Sequence, residues 1–519
     1  MSFFKKSKLP MEPTAVNKEQ HNKKQPMSSD LHVNMNLMKD AFSYPENTAL
    51  KFRDVFLPVF NKKASILFVE GTVDTNLIDA HIVEPLLKKS IILPRNDEIV
   101  SLLIRSVLTT SNAKSISTFQ DAIEDLVNGN TIILLEDESQ AISVETIGFE
   151  SRSVAVSTIE TVIKGPKAAF IESAAVNRSL IRKQIKDSNL MCEMVSVGKN
   201  APQQVSVMYI KEIADSELIK NVKKRLTDID RDTILEISIV EQYIEDRPYS
   251  LFPSTLTTER PDRASSFLLE GHVVLLMENS PVALIVPITF WSLFHTVEDQ
   301  YLRWAYGNFI RIIRLIALFI AILMPALYVA VTTYHAEMLP TDLMLAISST
   351  REILPFPAII EIFFMAITFE ILREAGIRIP TALGPTIGIV GALILGQAAV
   401  DANIVSPILV IVIAITGLAS FTIPDVGFNI AIRMLEFIFL LAGNFMGIFG
   451  VSLCLTWVIA YMVSIKSFGV PFFAPLSPHL PSSKDLLITP PVWKQWLRPY
   501  TTSPQKKIRG NKPEGGPDK

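Results

Sequence analysis

Apolar positions along this chain change their spacing part-way. Up to about residue 290 they come in short runs bounded by charged or turn-forming residues, and beyond about Leu315 they merge into long blocks. The block 384–423, GPTIGIVGALILGQAAVDANIVSPILVIVIAITGLASFTI, holds Asp401 as its only charge. A helix rises about 1.5 Å per residue and needs roughly 20 residues to cross a hydrocarbon core, so this block is long enough for two crossings. So is Val426 to Ile465, broken only by Arg433, Glu436 and the segment AGNFMGIFG. Further spans are predicted at about Leu315 to Thr333, where Pro325 should kink the helix, and at about Pro357 to Leu372. Dividing the last block near Gly443 and Asn444 gives six spans with both chain ends on one side. Leaving it as one kinked helix gives five, and six is preferred because both ends are basic.

Two stripes run along the first part of the 384–423 block. Gly384, Gly388 and Gly391 form a small-residue face that lets a neighbouring helix approach closely. Thr386, Val390, Leu393, Gln397 and Asp401 form a second face, apolar in the middle and polar towards its end, suited to lining a pore with a hydrophobic constriction. Asp401, with Asn403, equally fits a plain aqueous turn. Four other charges fall within apolar blocks. Glu361 sits in the first turn after Pro357, where its own helix dipole favours a carboxylate. Glu370, nine positions on, lies on the opposite face. Arg433 and Glu436 are three apart and are expected to neutralise each other. Arg373 and Arg378 mark 373–383 as a cytosolic loop.

The first half reads as strand, helix and strand. ASILFVEG (64–71) is a strand, Asp74 can cap a helix reaching Leu87, and Ser117 to Asn128 is a helix ended by Gly129. TIILLEDESQAISV then has the form of a hairpin with an acidic turn. The chain also resembles itself. SILFVEGTVDTNLI (65–78) matches SVMYIKEIADSELI (206–219) at an offset of 141, and GNTIILLEDESQAISV (129–144) matches GHVVLLMENSPVALIV (271–286) at 142. Two matches agreeing within one residue indicate a duplicated α/β unit, and they make 271–286 a hairpin rather than a membrane helix. Between the units, 165–190 reads as an amphipathic helix whose Arg178, Arg182, Lys183 and Lys186 form a basic face that is solvated or meets lipid headgroups or an acidic partner. Trp291 to Arg314 mixes aromatics with arginines in the manner of an interfacial helix, with Trp291, Trp304 and Tyr306 at headgroup depth and Arg303, Arg311 and Arg314 towards anionic lipid.

Composition fits a chain in two halves. Its 519 residues have 49% hydrophobic and only 19% charged members, and a mean hydropathy of +0.33, with the excess lying after Leu315. The expected fold is an α/β soluble N-terminal half of two related subdomains (46–150 and, with its connecting helix, 151–290), followed by the interfacial helix 291–314 and an all-α polytopic membrane domain (315–466). Basic tails, 1–45 and 467–519, are read as disordered and cytosolic. The net charge of −3 gives no reason to expect nucleic acid. No apolar stretch of signal-peptide length opens the chain, so the first 300 residues are expected to stay on the side where they are made. Cys192 and Cys454 lie one in each half, which argues against a disulfide or thiolate metal site. There is no phosphate-binding glycine loop and no nucleophile elbow, and the seven histidines never fall at metal-ligand spacing. The chain is therefore read as no enzyme, without a cofactor, with His272 and His295 in surface or packing roles.

TTERPD (257–262), LLEGHVVLLMENSPVALIVP (268–287), ED before Tyr301, LPFP (354–357), EILREAGIRIP (370–380), IGIVGALILGQAAVDA (387–402) and SFGVPFFAP (467–475) follow one another in an order that resembles the A subunits of GerA-type spore germinant receptors. GPKAAFIESAAVNRSLIRKQI resembles that family's N-terminal signature, and the likeness runs over about residues 60 to 480. Gln300 stands where the family usually has an aromatic, and Phe472 where it usually has tyrosine. The stage V sporulation protein AF shares the pattern. What the resemblance implies is an integral protein of the spore inner membrane, with its N-terminal domain in the cytosol. It would work with a transporter-like B subunit and a lipoprotein C subunit and oligomerise into a cation channel opened by nutrients. Two other readings fit the same spans: a secondary transporter, favoured by the broken segment 443–450, and a scaffold whose spans only anchor it.

Overall fold

The computed structural model describes residues 25–88, 98–110, 112–149, 157, 159–378, 396–479, 486 and 488–510. Its first half contains the duplication. Strands β1 (Leu50–Leu57), β2 (Lys62–Val69), β3 (Ala113–Ile116), β4 (Asn130–Leu135) and β5 (Ala141–Glu145) form an antiparallel sheet in the order β1-β2-β4-β5-β3. Strands β6 (Leu190–Val197), β7 (Gln203–Ile210), β8 (Leu256–Thr258), β9 (Val273–Met277) and β10 (Ala283–Val286) repeat that order as β6-β7-β9-β10-β8. Both hairpins predicted from the repeat, β4–β5 and β9–β10, are present.

The duplication extends further than the sequence match. Helix α1 (Leu31–Ala41) corresponds to a helix at Ala174–Gln184, and α2 (Phe119–Val127) to one at Pro261–Leu268. The stretch 1–45 is thus not all tail. Asp30 caps α1 by accepting from His32 N at 2.8 Å, and Leu31, Met35 and Met38, at i, i+4 and i+7, are buried. Three residues of one apolar stripe outweigh the polar composition around them.

The helix Ala174–Gln184, α3, leaves Lys183 exposed but turns Arg178 and Arg182 inward. Arg182 is 5% exposed and donates to the Leu190 carbonyl, while Arg178 donates to Ser206 Oγ at 3.1 Å and lies 3.5 Å from Glu70. Arg178 fastens the two sheets together, with Thr48 N and Oγ1 donating to the Cys192 carbonyl at the same seam. Helices α4 (Ser216–Thr227), α5 (Ile237–Ile244) and α6 (Pro261–Leu268) complete the second unit.

The second half is helical: α7 (Trp304–Tyr334), α8 (Thr341–Arg351), α9 (Ala358–Arg378), α10 (Pro407–Ser420) and α11 (Val426–Ser464). Among the described residues, α7 and α11 are the helices long and apolar enough to cross a membrane. Helix α9 continues to Arg378, so Arg373 is helical rather than in a loop.

Helix α11 doubles back. Gly447 has φ 60° and ψ −145°, outside helical values. The rings of Phe428 and Tyr461 lie 6.1 and 6.3 Å from the same ring, Phe252. Along a straight helix those two residues would be about 50 Å apart. The block is therefore two arms joined by a tight turn, as expected, with the turn at Gly447 rather than at Gly443 and Asn444. Glycine is required there because φ is positive and a Cβ would stand 2.9 Å from His335 Nε2.

The C-terminal segment is not a free tail. A short hairpin at 466–471 leads to residues that return to the second α/β unit. Arg498 Nε donates to the Leu269 carbonyl at 2.8 Å, Thr502 Oγ1 to Glu270 O at 2.8 Å, and Gln505 N to Ile213 O at 2.9 Å.

Candidate functional site

The region that joins the two halves is built from residues 260–314. Short helices at Phe290–Phe294 and Glu298–Tyr301 precede α7, so the stretch 291–314 is not one interfacial helix. Trp291 is buried beside Phe290 and Phe294, while Trp304 and Tyr306 are exposed. Gly307 lets the first turn of α7 lie against the preceding helix, because a Cβ there would be 2.7 Å from the Asp299 carbonyl. That contact brings Asp299 under two arginines. Arg311 Nε donates to Asp299 Oδ2 at 3.1 Å, Arg314 Nη1 to Oδ2 at 3.1 Å and Arg314 Nη2 to Oδ1 at 3.2 Å. All three side chains are buried. Arg311 and Arg314 therefore face a carboxylate in the protein and not lipid, since a buried charge of this size needs a charged partner. Burial pushes the Asp299 carboxyl up, but the hydrogen bonds and charge of Arg314, the charge of Arg311 and the bond from Thr296 outweigh it and hold the group below the usual carboxylate range.

Two further buried pairs extend this clasp into the second α/β unit. Arg260 holds Asp262 at both oxygens, 3.0 and 2.6 Å, and Tyr301 Oη donates to Asp262 at 3.0 Å. Arg263 pairs with Glu160 and donates to the carbonyls of Ser292 and His295. The sequence marked Arg260 and Asp262 only as part of a familiar motif. Their roles come from partners up to about 100 positions away, beyond any local pattern.

In the helical half three of the four candidate charges, Glu361, Glu370 and Arg433, find partners on other helices. Glu361 is 2% exposed and its Oε2 accepts from Ser406 N at 3.2 Å. Ser406 is the N-cap of α10, so Glu361 serves the amino end of that helix instead of its own. Its second oxygen has no hydrogen-bond partner among the described residues. Arg433 pairs with Glu370 of α9, not with Glu436 on its own helix, and Arg373 also reaches Glu370 at 3.3 Å. The Arg373 guanidinium lies over the Phe369 and Phe421 rings.

Of the pore candidates, Gln397 and Asp401 lie on a described helical stretch, 396–401, and both are exposed, with Gln397 Nε2 donating to Asp401 Oδ1 at 3.1 Å. Thr386, Val390 and Leu393, and the packing candidates Gly384, Gly388 and Gly391, lie outside the described residues. The 443–450 segment is the turn between the α11 arms, packed on the end of α7, where Tyr334 Oη donates to Asn444 O at 2.7 Å. The break that favoured a transporter is thus a chain reversal.

The sequence profile of the Bacillus/Clostridium GerA spore germination protein matches residues 36–501. The chain belongs to the GerA spore germination protein family. Spore germination protein KA of Bacillus subtilis (strain 168) is 38% identical over 86% of this chain and 82% of its own length. Spore germination protein GerLA of Bacillus cereus is 34% identical over 94% and 96%, and Spore germination protein B1 of Bacillus subtilis (strain 168) is 33% identical over 93% and 99%. Among solved structures, the N-terminal domain of the A subunit of the Bacillus megaterium spore germinant receptor GerK3 is 27% identical. It aligns over 51% of this chain and 98% of that one, with a TM-score of 0.41. Membership of GerA extends over both α/β units, the clasp and the helices, since the matched range includes them all.

Proposed function

We propose that this GerA protein is the channel-forming A subunit of a nutrient germinant receptor in the spore inner membrane. Several copies would surround a pore lined by Thr386, Val390, Leu393, Gln397 and Asp401, while Gly384, Gly388 and Gly391 let neighbouring helices pack. Opening releases monovalent cations at the start of germination. A transporter-like B subunit and a lipoprotein C subunit are the expected partners, and the α/β half and the C-terminal segment lie on the cytosolic side.

The observation that carries this reading is the exposure of Gln397 and Asp401, hydrogen-bonded to each other on one helical stretch. Polar side chains on the outside of a membrane bundle are costly against lipid and need water or a neighbouring copy. A ring of copies supplies both. The Asp299 clasp supports the same reading, because it ties the first turns of α7 rigidly to the α/β half.

The test is single-channel recording from the purified protein in a planar bilayer, with and without the two partner subunits. Discrete cation-selective steps are expected, with weaker cation preference in Asp401→Asn and leaky opening when Val390 is made smaller. A correctly assembled complex that stays silent with partners and nutrient present would refute the channel and leave the scaffold.

A further inference from the structure

After its hairpin the C-terminal chain comes back to the beginning of α7. Thr489 N donates to Asn308 Oδ1 at 2.7 Å, and the Thr489 carbonyl accepts from Asn308 Nδ2 at 3.2 Å and from Trp304 Nε1 at 2.6 Å. Residues 488–494 are thereby fixed as a strap beside the first turns of α7. The strap leaves most of its own apolar surface uncovered. Ile488, Val492 and Trp493 are each more than half exposed. Lys494, next to Trp493, and Arg303, next to Trp304, are exposed as well.

The carbonyls of the strap are nonetheless satisfied from within the protein. Pro490 O accepts from Gln495 Nε2 at 2.8 Å, Pro491 O from Lys494 N at 2.8 Å and Val492 O from Gln495 N at 3.1 Å. Pro490 and Pro491 have no N–H to satisfy. Four successive carbonyls, 489 to 492, are thus paired on a segment whose apolar side chains are exposed. Water does not require that arrangement, whereas a lipid interface does, because unpaired backbone groups are costly where water is scarce.

The depth of the strap follows from α7. Its 31 residues span about 46 Å, close to the roughly 40–45 Å of a bilayer with its headgroup layers. Trp304 and Tyr306 near one end and Tyr334 at the other are exposed, as in the aromatic belts of membrane helices. The first turns of α7 then lie in the headgroup layer on the side of the α/β half, and the strap lies there with them.

We infer that residues 488–494 form an interfacial anchor resting on the phospholipid surface. Ile488, Val492 and Trp493 enter the boundary between headgroups and acyl chains, while Lys494 and Arg303 meet the phosphates. Tryptophan favours this depth, and a long basic side chain keeps its charge in the polar layer while its stem lies on apolar surface. Beyond the strap, Arg498, Thr502 and Gln505 bond to the second α/β unit, so the anchor seats that unit on the membrane. The inference rests on α7 crossing the membrane and does not require a pore.

The test is depth measurement by spin-label EPR on the full chain in nanodiscs of phosphatidylglycerol and phosphatidylcholine. Single labels go at Ile488→Cys, Val492→Cys and Lys494→Cys. Ile316→Cys, exposed on α7, and Tyr249→Cys, exposed on the α/β half, are the references, and the native Cys192 and Cys454 are buried. Collision with oxygen, which concentrates in lipid, is compared with collision with an aqueous nickel chelate. Labels at Ile488 and Val492 are expected about 5–10 Å into the boundary between headgroups and acyl chains. Lys494 should read at the phosphates, Ile316 deeper than the strap and Tyr249 in water. Strap labels that read like Tyr249 while Ile316 reads as lipid would overturn the anchor and leave α7 in the membrane. Ile316 in water would overturn both. Shielding of Ile488 and Val492 from both reagents would put a protein partner in place of lipid and overturn the anchor as well. The two sites report independently, so a substitution that disturbs folding at one leaves the test to the other.

Discussion

Replacing Asp299 tests whether the clasp joins the α/β half to α7. Its carboxylate accepts three hydrogen bonds from Arg311 and Arg314 and two from Thr296, N at 3.2 Å and Oγ1 at 2.9 Å. Removing one partner from a buried ion pair typically costs about 3–5 kcal/mol, because the other charge stays buried without compensation. Arg314 retains the Phe294 carbonyl at 2.8 Å, so the lower end of that range applies to Asp299→Ala. About 3 kcal/mol corresponds to roughly a hundredfold in the equilibrium between a docked and an undocked α7 start. Asp299→Asn keeps an acceptor for Thr296 and should cost about half as much. The assay is amide hydrogen exchange over residues 296–314 in the intact protein, with a double-mutant cycle adding Arg314→Met. Exchange about a hundredfold faster in Asp299→Ala, and a cycle far from additive, are expected. Rates within about threefold of the parent, or additive effects, would show that apolar packing alone holds the joint. The pH dependence has a definite sign. The folded carboxyl lies below its ordinary value, so its contribution is complete above about pH 4 and is lost as pH falls through the folded pKa. Between pH 5 and 8 this group should leave stability unchanged.

His272 loses stability in the same direction but at higher pH. Its folded pKa of about 4 lies below the unfolded value near 6.5, so the unfolded chain binds the extra proton and stability falls with pH through that window. On going from pH 7 to 5 the parent should lose about 2 kcal/mol more than His272→Gln, read from thermal melts of each. Gly447→Ala puts a residue with a Cβ at φ 60° and against His335, and should destabilise the α11 turn by about 1–3 kcal/mol. A melting temperature equal to the parent's would argue against the reversal. Glu361→Ala leaves Ser406 N without its acceptor and should cost about 1–3 kcal/mol in detergent melts, whereas Glu361→Gln retains an acceptor and should cost less.

The elements and their order were legible because they follow local rules. Alternation and turn residues gave both hairpins, the internal repeat gave the second sheet, and the Asp74 cap is present, accepting from Asn76 N at 2.9 Å. What failed was every assignment that required a partner. Arg182, Arg311 and Arg314 read as surface or lipid-facing cations because an arginine in an amphipathic stretch looks the same whether it meets water or a carboxylate. Arg433 was given the nearest acid in sequence, three positions away, while its partner Glu370 comes from another helix. Glu361 was assigned to its own helix dipole, while its hydrogen bond goes to the amino end of another helix. Helix α1 was missed because its three buried residues lie in a lysine-rich neighbourhood, and composition averaged over that neighbourhood hides a single stripe.

The direction of each described helix follows from contacts between described residues. Call the end of the bundle at the Asp299 clasp near, and the end at Tyr334 far. Helix α7 runs from near to far. Helices α9 and α10 lie parallel, since Glu361 meets Ser406 at one end and Arg373 donates to Ser420 at 3.0 Å at the other. Asn429, in the first turn of α11, donates to the Ser420 carbonyl at 2.8 Å, and Phe428 packs near Phe252 of the α/β half, so the Ser420 end is near. Both helices therefore run from far to near. The two arms of α11 run out and back, which brings Tyr461 to the end that holds Phe428, beside Phe252. Among the described residues, α7, α9, α10 and the two arms of α11 therefore each run between the two ends. Single cysteines at Met338 and Ile353, both exposed at the far end, and at Tyr249, exposed on the α/β half, make the path of α7 measurable with an impermeant maleimide on sealed vesicles of one orientation. Met338 and Ile353 should label together and Tyr249 only after the vesicles are opened, or the reverse in inverted vesicles. Labelling of Met338 and Tyr249 from the same side would refute the path of α7 across the membrane, and with it the placement of the clasp at the membrane's cytosolic edge.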